Sequence, residues 1–315
     1  MRVNRLDLNQ LACLDALLAE RNVSRAAARV HLSQPALSAT LARMRDYFGD
    51  PLLLPAGRSL RLTPFAQSLL GPVRDLLLQA QAVTQLRPEM EPARMRRDVT
   101  IVSSDYVLRL LLAPLLERAA REAPGLRFEL RSIGGYIAEE LEQGDVDLVV
   151  SLASAMLSKN HPSEIVLRDN FCCVVWDGNT QVRGSLTKAK YLELGHVVTV
   201  LGRGRVPTLD QLATERLGLE RRIEVRVPGF TFLPTGLIGT ERIATLQSHL
   251  ARMLAREHPL RILPCPIPID EIVTAVQWHK YQSHDPALLW VRQALGEVAR
   301  ALGAPMVSRA RAARG

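Results

Sequence analysis

Residues 24–38 read Ser24-Arg-Ala-Ala-Ala-Arg-Val-His-Leu-Ser-Gln-Pro-Ala-Leu-Ser38, and this stretch decides the N-terminal fold. Ser24 is placed to cap a short helix over 25–31, whose Ala26-Ala27-Ala28 run lets a second helix approach closely. Leu32-Ser33 is a short turn. Ser33 then caps a further helix, with Pro35 in its first turn, where a missing N–H costs nothing. Along that helix Leu37, Leu41, Met44 and Phe48 form one apolar stripe. The opposite face carries Pro35, Ser38, Ala39, Ala42 and Arg43, with Gln34 and Arg45 at its edges. Two short helices joined by a three- to four-residue turn form a helix-turn-helix, whose second helix fits the major groove of DNA. The outer face is small and nearly uncharged, whereas a face that only meets water carries more charge. Gln34 is suited to pair with adenine, Arg43 with guanine or phosphate, and Ser38 to donate or accept.

Working outward, Leu8, Leu11, Leu14 and Leu18 predict a preceding helix, with Asp7 and Gln10 as a capping box. On the other side, Leu52-Leu-Leu-Pro55 and Ser59-Leu-Arg-Leu62 flank Ala56-Gly57-Arg58 and read as a hairpin. A hairpin behind a recognition helix is a wing, and Arg58 at its tip is placed to enter a narrow minor groove. From Thr63 a helix is predicted to Gln85, roughly 34 Å at ~1.5 Å per residue. Leu69, Val73, Leu76, Ala80 and Val83 recur at heptad spacing, which suits a pairing seam between two chains or, as the alternative, a face folded back on the domain's own core. Pro72 is expected to kink this helix. Arg87-Pro88-Glu89-Met90-Glu91-Pro92 reads as a hinge.

The remaining two hundred residues alternate short strands with helices, which predicts a parallel sheet. Strands are expected over 99–103, 126–132, 147–151, 172–176, 196–201, 224–227, 260–263 and 272–278. Helices are expected over 106–122, 136–143, 187–193, 208–218, 242–257 (broken around Thr245) and 286–302. The segment before residue 172 reads as loop, and the tail from Gly303 as disordered. Ligands of such sheets sit at the C-terminal strand ends. Ser103-Ser104-Asp105 and Ser151 are strand ends of that kind, and their hydroxyls and backbone N–H groups suit a carboxylate.

The chain has 315 residues and a net charge of +8, which permits nucleic-acid binding without proving it. No apolar run reaches the ~20 residues of a membrane span and no signal peptide is visible, so the sequence reading is cytoplasmic, with no membrane contact. Cys13, Cys172, Cys173 and Cys265 show no zinc spacing and read as buried small hydrophobes; no metal and no cofactor is expected. There is no G-x-S-x-G, H-E-x-x-H or Walker loop, and the sequence does not read as an enzyme. Three alternatives stand beside a regulator: an α/β enzyme using Cys172 or Cys173 as nucleophile, a redox sensor using that adjacent pair, and an architectural DNA-binding protein.

The 24–38 stretch, followed by Phe48-Gly-Asp-Pro-Leu-Leu53 and Leu62-Thr63-Pro64, resembles the DNA-binding domain of LysR-type transcriptional regulators. By that resemblance Ser33, Gln34, Pro35, Ser38 and Arg43 face DNA, and Arg58 matches the wing arginine. The chain departs at Ala39, where many members carry a larger polar or basic residue, and at Pro55, where many carry arginine. Further on, Leu141-Glu-Gln-Gly-Asp-Val-Asp-Leu-Val-Val150, Val227-Pro228 with Phe230, Ile243-Ala-Thr245, Trp278-His279, Asp285-Pro-Ala287 and Trp290-Val-Arg292 resemble the Nod-like subgroup. The resemblance implies a winged helix-turn-helix over 1–62, a linker helix and hinge over 63–93, an α/β effector domain over 94–303 and a basic tail over 304–315. It implies two effector lobes like those of periplasmic binding proteins, about 94–168 with 273–303 and about 169–272. The chain would cross near 168–171 and 268–272, making Thr199, Val200, Phe230 and Thr231 candidates for the second wall of the ligand cleft. The implied partners are double-stranded DNA, an aromatic or carboxylate-bearing inducer, and further copies of the chain, as a homodimer through the linker helix and a homotetramer built from two such dimers.

Overall fold

The computed structural model describes residues 6–56, 59–85, 91–134, 136–155, 160–202 and 207–303. The chain divides into two compact units, Met1–Leu86 and Arg87–Gly315. Arg58 and the tail over 304–315 lie outside the described residues, as does most of the proposed hinge.

In the first unit, α1 (Leu8–Glu20) starts with the expected capping box. Asp7 Oδ1 accepts the Gln10 N–H at 2.8 Å, and Gln10 Oε1 accepts the Asp7 N–H at 3.2 Å. The second helix, α2 (Val23–Arg29), begins earlier than the sequence suggested. Asn22, in extended backbone, accepts the Arg25 N–H at 3.0 Å, so Asn22 is the cap and Ser24 lies inside the first turn. The third, α3 (Gln34–Phe48), is capped by Ser33, with Pro35 in its first turn. Its inner face, Leu37, Leu41 and Met44, packs against Leu14, Leu17 and Leu18 of α1 and Ala26 and Ala27 of α2. Two short strands, β1 (Leu53–Ala56) and β2 (Ser59–Leu62), pair antiparallel and form the wing.

The base of the wing is tied down by Asp50. Its Oδ1 accepts the Leu52 N–H at 2.7 Å and the Thr63 hydroxyl at 2.7 Å. Thr63 Oγ1 in turn accepts the Ala66 N–H and caps the long helix α4 (Pro64–Gln85). Leu52 has φ 58, a left-handed conformation unfavourable for a leucine, held by complete burial of its side chain. Pro72 is carried inside α4, which continues past it. The heptad stripe of α4 is split. Val73 is buried and Leu69 half-buried in the unit's own core, while Leu76 and Val83 remain 45% and 68% exposed. Arg74 pairs with Asp15 of α1 at 2.7 Å.

The second unit contains two five-stranded sheets. Its elements in order are β3 (Arg97–Ser103), α5 (Asp105–Val107), α6 (Ala113–Glu122), β4 (Leu126–Ser132), α7 (Ile137–Glu142), β5 (Leu148–Leu152), β6 (Ser163–Asp169), β7 (Phe171–Trp176), α8 (Lys188–Glu193), β8 (Gly195–Thr199), α9 (Leu209–Arg216), β9 (Arg222–Val227), α10 (Leu233–Leu237), β10 (Ile243–Gln247), α11 (Ser248–Glu257), β11 (Leu260–Pro264), β12 (Ile272–Trp278) and α12 (Pro286–Gly303). The first sheet runs β4-β3-β5-β12-β6 and the second β11-β7-β10-β8-β9. The chain passes from one sheet to the other between β6 and β7, at Asn170, and returns between β11 and β12.

Both sheets are mixed, and the expectation of parallel sheets is corrected here. β3 runs parallel to β4 and β5, and β8 parallel to β9 and β10. β12 is antiparallel to β5 and β6, and β7 to β10 and β11, because strands at the passages run against the βα units. Two elements also differ from the reading of sequence. Residues 243–247 form the fully buried strand β10, not the start of a helix; a short apolar run followed by helical spacing does not separate the two. β6, read as loop, is a strand of its sheet's edge whose first residues are exposed. Between α5 and α6 the helical run widens into a π turn at Leu108–Leu112, just before Pro114.

Candidate DNA interface and effector cavity

On α3 the N-terminal turn and one face stand free of the core. Ser33, Gln34, Pro35, Ala39, Ala42 and Arg43 are exposed and Ser38 is half-buried. Ser33 Oγ accepts the Ala36 N–H at 3.4 Å, so this serine caps the helix at the start of its exposed face. Gln34 Nε2 donates to Ser38 Oγ at 3.1 Å, and Arg43 donates to Thr40 Oγ1 at 3.0 Å. These pairs orient an amide and a guanidinium on the exposed face, the two groups that bond adenine and guanine edges. Arg45 is used elsewhere: it donates to the Pro51 and Leu53 carbonyls and fixes the start of the wing.

In the second unit a cavity of about 230 Å³ opens between the two sheets' strand ends. Ser104, Tyr106 and Val107 line it from the start of the α5 run, and Ser151 and Leu152 from the end of β5. Phe171, Ile272 and Thr274 line it from the two passages, and Phe230 and Gln247 from the second sheet's side. Of the residues singled out from sequence, Ser104, Ser151 and Phe230 meet at this cavity. Ser103 and Asp105 line a separate space of about 60 Å³ beside it, with Ser104. Thr199 and Val200 lie outside both. The Thr199 carbonyl accepts from Gln211 Nε2, and the Val200 N–H donates to the Val227 carbonyl.

Asp105 and Thr231 find each other. Asp105 Oδ2 accepts the Thr231 N–H at 2.7 Å and the Thr231 hydroxyl at 2.8 Å, joining the α5 run to the turn Phe230–Phe232. Gly229 makes the approach possible, since a Cβ there would lie 2.5 Å from Asp105 Oδ2. These two residues therefore clasp one lobe to the other.

Sequence reasoning missed Gln247. It ends β10, is 5% exposed and lines the cavity, and its Oε1 has no hydrogen-bond partner. A buried acceptor left without a donor costs about 1–3 kcal/mol, which a bound hydroxyl or N–H recovers. The misreading of β10 as helix hid this position. Among the described residues no charged side chain lines the cavity. Ser104, Thr208 and Gln247, all lining it, are the N-caps of α5, α9 and α11, so helix starts face the cavity. The Tyr106 hydroxyl donates to Asp169 at the first passage (3.0 Å), and burial pushes the phenol well above its usual range. Asp169 also accepts the His249 and Asn170 N–H groups. Burial pushes this carboxyl up, but the His249 ring and these N–H groups outweigh it and hold it below the ordinary carboxylate range.

A second cluster, Glu142, His161 and His279, brings metal-ligand atoms within 4.8 Å of one another. Backbone N–H groups of Lys280 and Tyr281 point at Nδ1 of His161 and His279, which leaves the ring proton on Nε2. His161 Nε2 lies 2.8 Å from a Glu142 carboxylate oxygen. A metal ligated through Nε2 needs that nitrogen bare and Nδ1 donating, the reverse of this arrangement. No nucleophile is set up at Cys172 either: burial pushes its thiol up to about 11.

A family model described as bacterial regulatory helix-turn-helix protein, lysR family, matches residues 8–67, and one described as LysR substrate binding domain matches 93–300. Nodulation protein D of Bradyrhizobium sp. (strain ANU 289) is 40% identical over 299 residues, 95% of this chain and 88% of that protein. Nodulation protein D 2 of Rhizobium tropici is 40% identical over 305 residues, 97% of this chain and 96% of that one. The crystal structure of a probable transcriptional regulator from Pseudomonas aeruginosa aligns with a TM-score of 0.62 at 27% identity, covering 93% of this chain and 97% of that one. Among the described residues no helix is long and apolar enough to cross a membrane. With a lysR-family helix-turn-helix ahead of a LysR substrate-binding domain, and with regulators as relatives over nearly its whole length, the chain is not an enzyme and belongs to the LysR family of DNA-binding transcriptional regulators.

Proposed function

We propose that this regulator answers to an uncharged, largely apolar ring compound bearing hydroxyl groups, held in the 230 Å³ cavity. The observation that carries this reading is the unsatisfied Gln247 Oε1 in a mostly apolar, uncharged lining. A carboxylate lacks the proton that Gln247 Oε1 accepts, and no cationic side chain among the described lining residues pairs with it. Phe230 offers a ring surface. Ser104 and Ser151 supply further hydroxyls on the opposite wall.

In the same reading Ser33, Gln34, Pro35, Ser38 and Arg43 contact operator DNA, with Arg58 of the wing as a further contact. The outer face of α4, with exposed Leu76 and Val83 and half-buried Ala80, pairs two chains; Leu69 and Val73 serve the unit's own core. Such pairing places two copies of α3 on a two-fold symmetric site.

Calorimetric titration with matched compounds, one a phenol and one the benzoate of the same skeleton, tests the cavity reading. The phenol is expected to bind the more tightly. Gln247→Leu should weaken it by about 0.5–1.5 kcal/mol while slightly raising the melting temperature of the free protein, since a buried unpaired acceptor is removed. Preferential binding of the benzoate, or a Gln247→Leu protein that binds the phenol unchanged, overturns the assignment.

A further inference from the structure

The two passages between the sheets meet beside one buried carboxylate. Asp169 ends β6, Asn170 is the single residue between the sheets, and Phe171 begins β7. Ile272, which begins β12 after the second passage, stands opposite Asp169 in the first sheet. On the other side Phe171 stands opposite Gln247, and both of these line the cavity. A change of angle between the two lobes therefore turns about the residues next to Asp169.

Both lobes bond to that carboxylate. From the first lobe, the Tyr106 hydroxyl donates to Asp169 Oδ2 at 3.0 Å. From the second, the His249 N–H donates to the same oxygen at 3.1 Å, and His249 Nδ1 lies 2.9 Å from Oδ1. The Asn170 N–H donates to Oδ1 at 2.8 Å, and the Asn170 carbonyl accepts the Ser248 N–H at 2.8 Å, which straps the passage to the start of α11. Hydrogen bonds to an ionised carboxylate are about twice as strong as neutral ones. Among these residues Tyr106 alone lines the cavity. Its ring faces the space an occupant fills, while its hydroxyl holds the passage. Its neighbour Asp105 makes the separate tie to Thr231.

We propose that Tyr106, Asp169 and His249 are the residues that couple the cavity to the angle between the lobes. The proposal rests on the reading that the cavity holds the inducer. A compound seated against the Tyr106 ring displaces its hydroxyl. The Asp169 bond carries that displacement to the passage and, through His249, to α11 of the second lobe. A ligand shifts an equilibrium between two arrangements only by interacting differently with each of them. The Tyr106 hydroxyl, shared between cavity wall and passage, is where that difference falls. His249 does not line the cavity, so it acts as a positioning residue, through Asp169 and Tyr106.

The test has two arms, both on full-length protein. The first is hydrogen–deuterium exchange at single-residue resolution, with no compound added. In Tyr106→Phe, which keeps the ring and removes only the hydroxyl, the Asn170 and His249 amides should exchange about fivefold faster or more. The Thr231 amide, bonded to Asp105, should stay within about twofold of the wild type and so reports that the fold is intact. The second arm takes His249→Ala with a hydroxylated ring compound that binds the wild-type cavity. Its calorimetric Kd should stay within about threefold of the wild type, while the change it causes in affinity for upstream DNA should shrink at least threefold. Wild-type exchange at Asn170 and His249 in Tyr106→Phe overturns the proposal, and so does a His249→Ala protein whose DNA response is undiminished or falls only as far as its compound binding does. The first arm needs no compound, so it decides on the Tyr106–Asp169 tie even where the reading of the cavity as the inducer site fails.

Discussion

In the first unit the residues proposed to touch DNA, Arg58 of the wing apart, fall between 33 and 43, at the start and on one face of α3. In the second, those that line the cavity run from Ser104 to Thr274, come from both sheets and the passages between them, and include the fully enclosed Gln247 and Phe230. One site is written locally and read outward; the other is assembled by topology from largely buried groups. The difference predicts how each unit fails. Changes on α3 should alter binding without altering stability, whereas buried polar groups of the second unit should govern its stability.

The largest expected effect is at Arg97, which pairs with Asp147 at 2.6 Å and also with Asp285 in the buried floor of the second unit. Arg97→Met leaves two buried carboxylates without their cation and should cost about 3–5 kcal/mol. Trp176, Trp278 and Trp290, the chain's three tryptophans, all lie in that unit, so denaturation followed by their fluorescence reports on it alone. Gel-shift affinity of the folded variant for DNA should hold. Equal losses of stability and of intrinsic DNA affinity would break the distinction between the units.

Next comes acid. His196 is 0% exposed; its Nε2 bonds the Tyr191 carbonyl at 2.7 Å and its Nδ1 has no hydrogen-bond partner. Burial lowers its pKa to about 4. Its folded value lies below the ordinary ~6.5, so the unfolded chain takes the proton first. Stability is therefore full above about 6.5 and is lost as pH falls toward 4, up to roughly 3 kcal/mol. The fluorescence-detected melting temperature should drop across that window in the wild type and less in His196→Gln. The first unit's histidine, His31, is exposed. An unchanged slope in the variant places the acid sensitivity elsewhere.

The smallest is Arg43→Ala, expected to cost about 1–3 kcal/mol on the specific site with no change in melting temperature. An equal loss on random DNA moves Arg43 from base to phosphate.

The same contrast explains what could be read in advance. The helix-turn-helix was legible because capping residues, Pro35 and the Leu37–Leu41–Met44 stripe all act within a few turns of chain. Even there, Asn22 displaced Ser24 as the cap, since both are good caps and only the backbone chooses. The strand-end serines Ser104 and Ser151 reached the cavity because a strand end is a local feature with a fixed place in such folds. Gln247 did not show itself, since its strand was hidden in a run that continues into α11. Asp105 and Thr231 were read as ligand groups because their mutual bond spans 126 positions, which no local pattern reveals.

The most direct test of the account is fluorescence anisotropy of labelled DNA from immediately upstream of the protein's own gene, against random DNA at one salt concentration, with and without a hydroxylated ring compound shown to bind the cavity. The account predicts tighter binding to the upstream DNA and a change in that affinity, or in the footprint, when the compound is added, with both compound effects reduced in Gln247→Leu. Equal affinity for the two DNAs, or a compound that binds the cavity and leaves affinity and footprint unchanged, would contradict it.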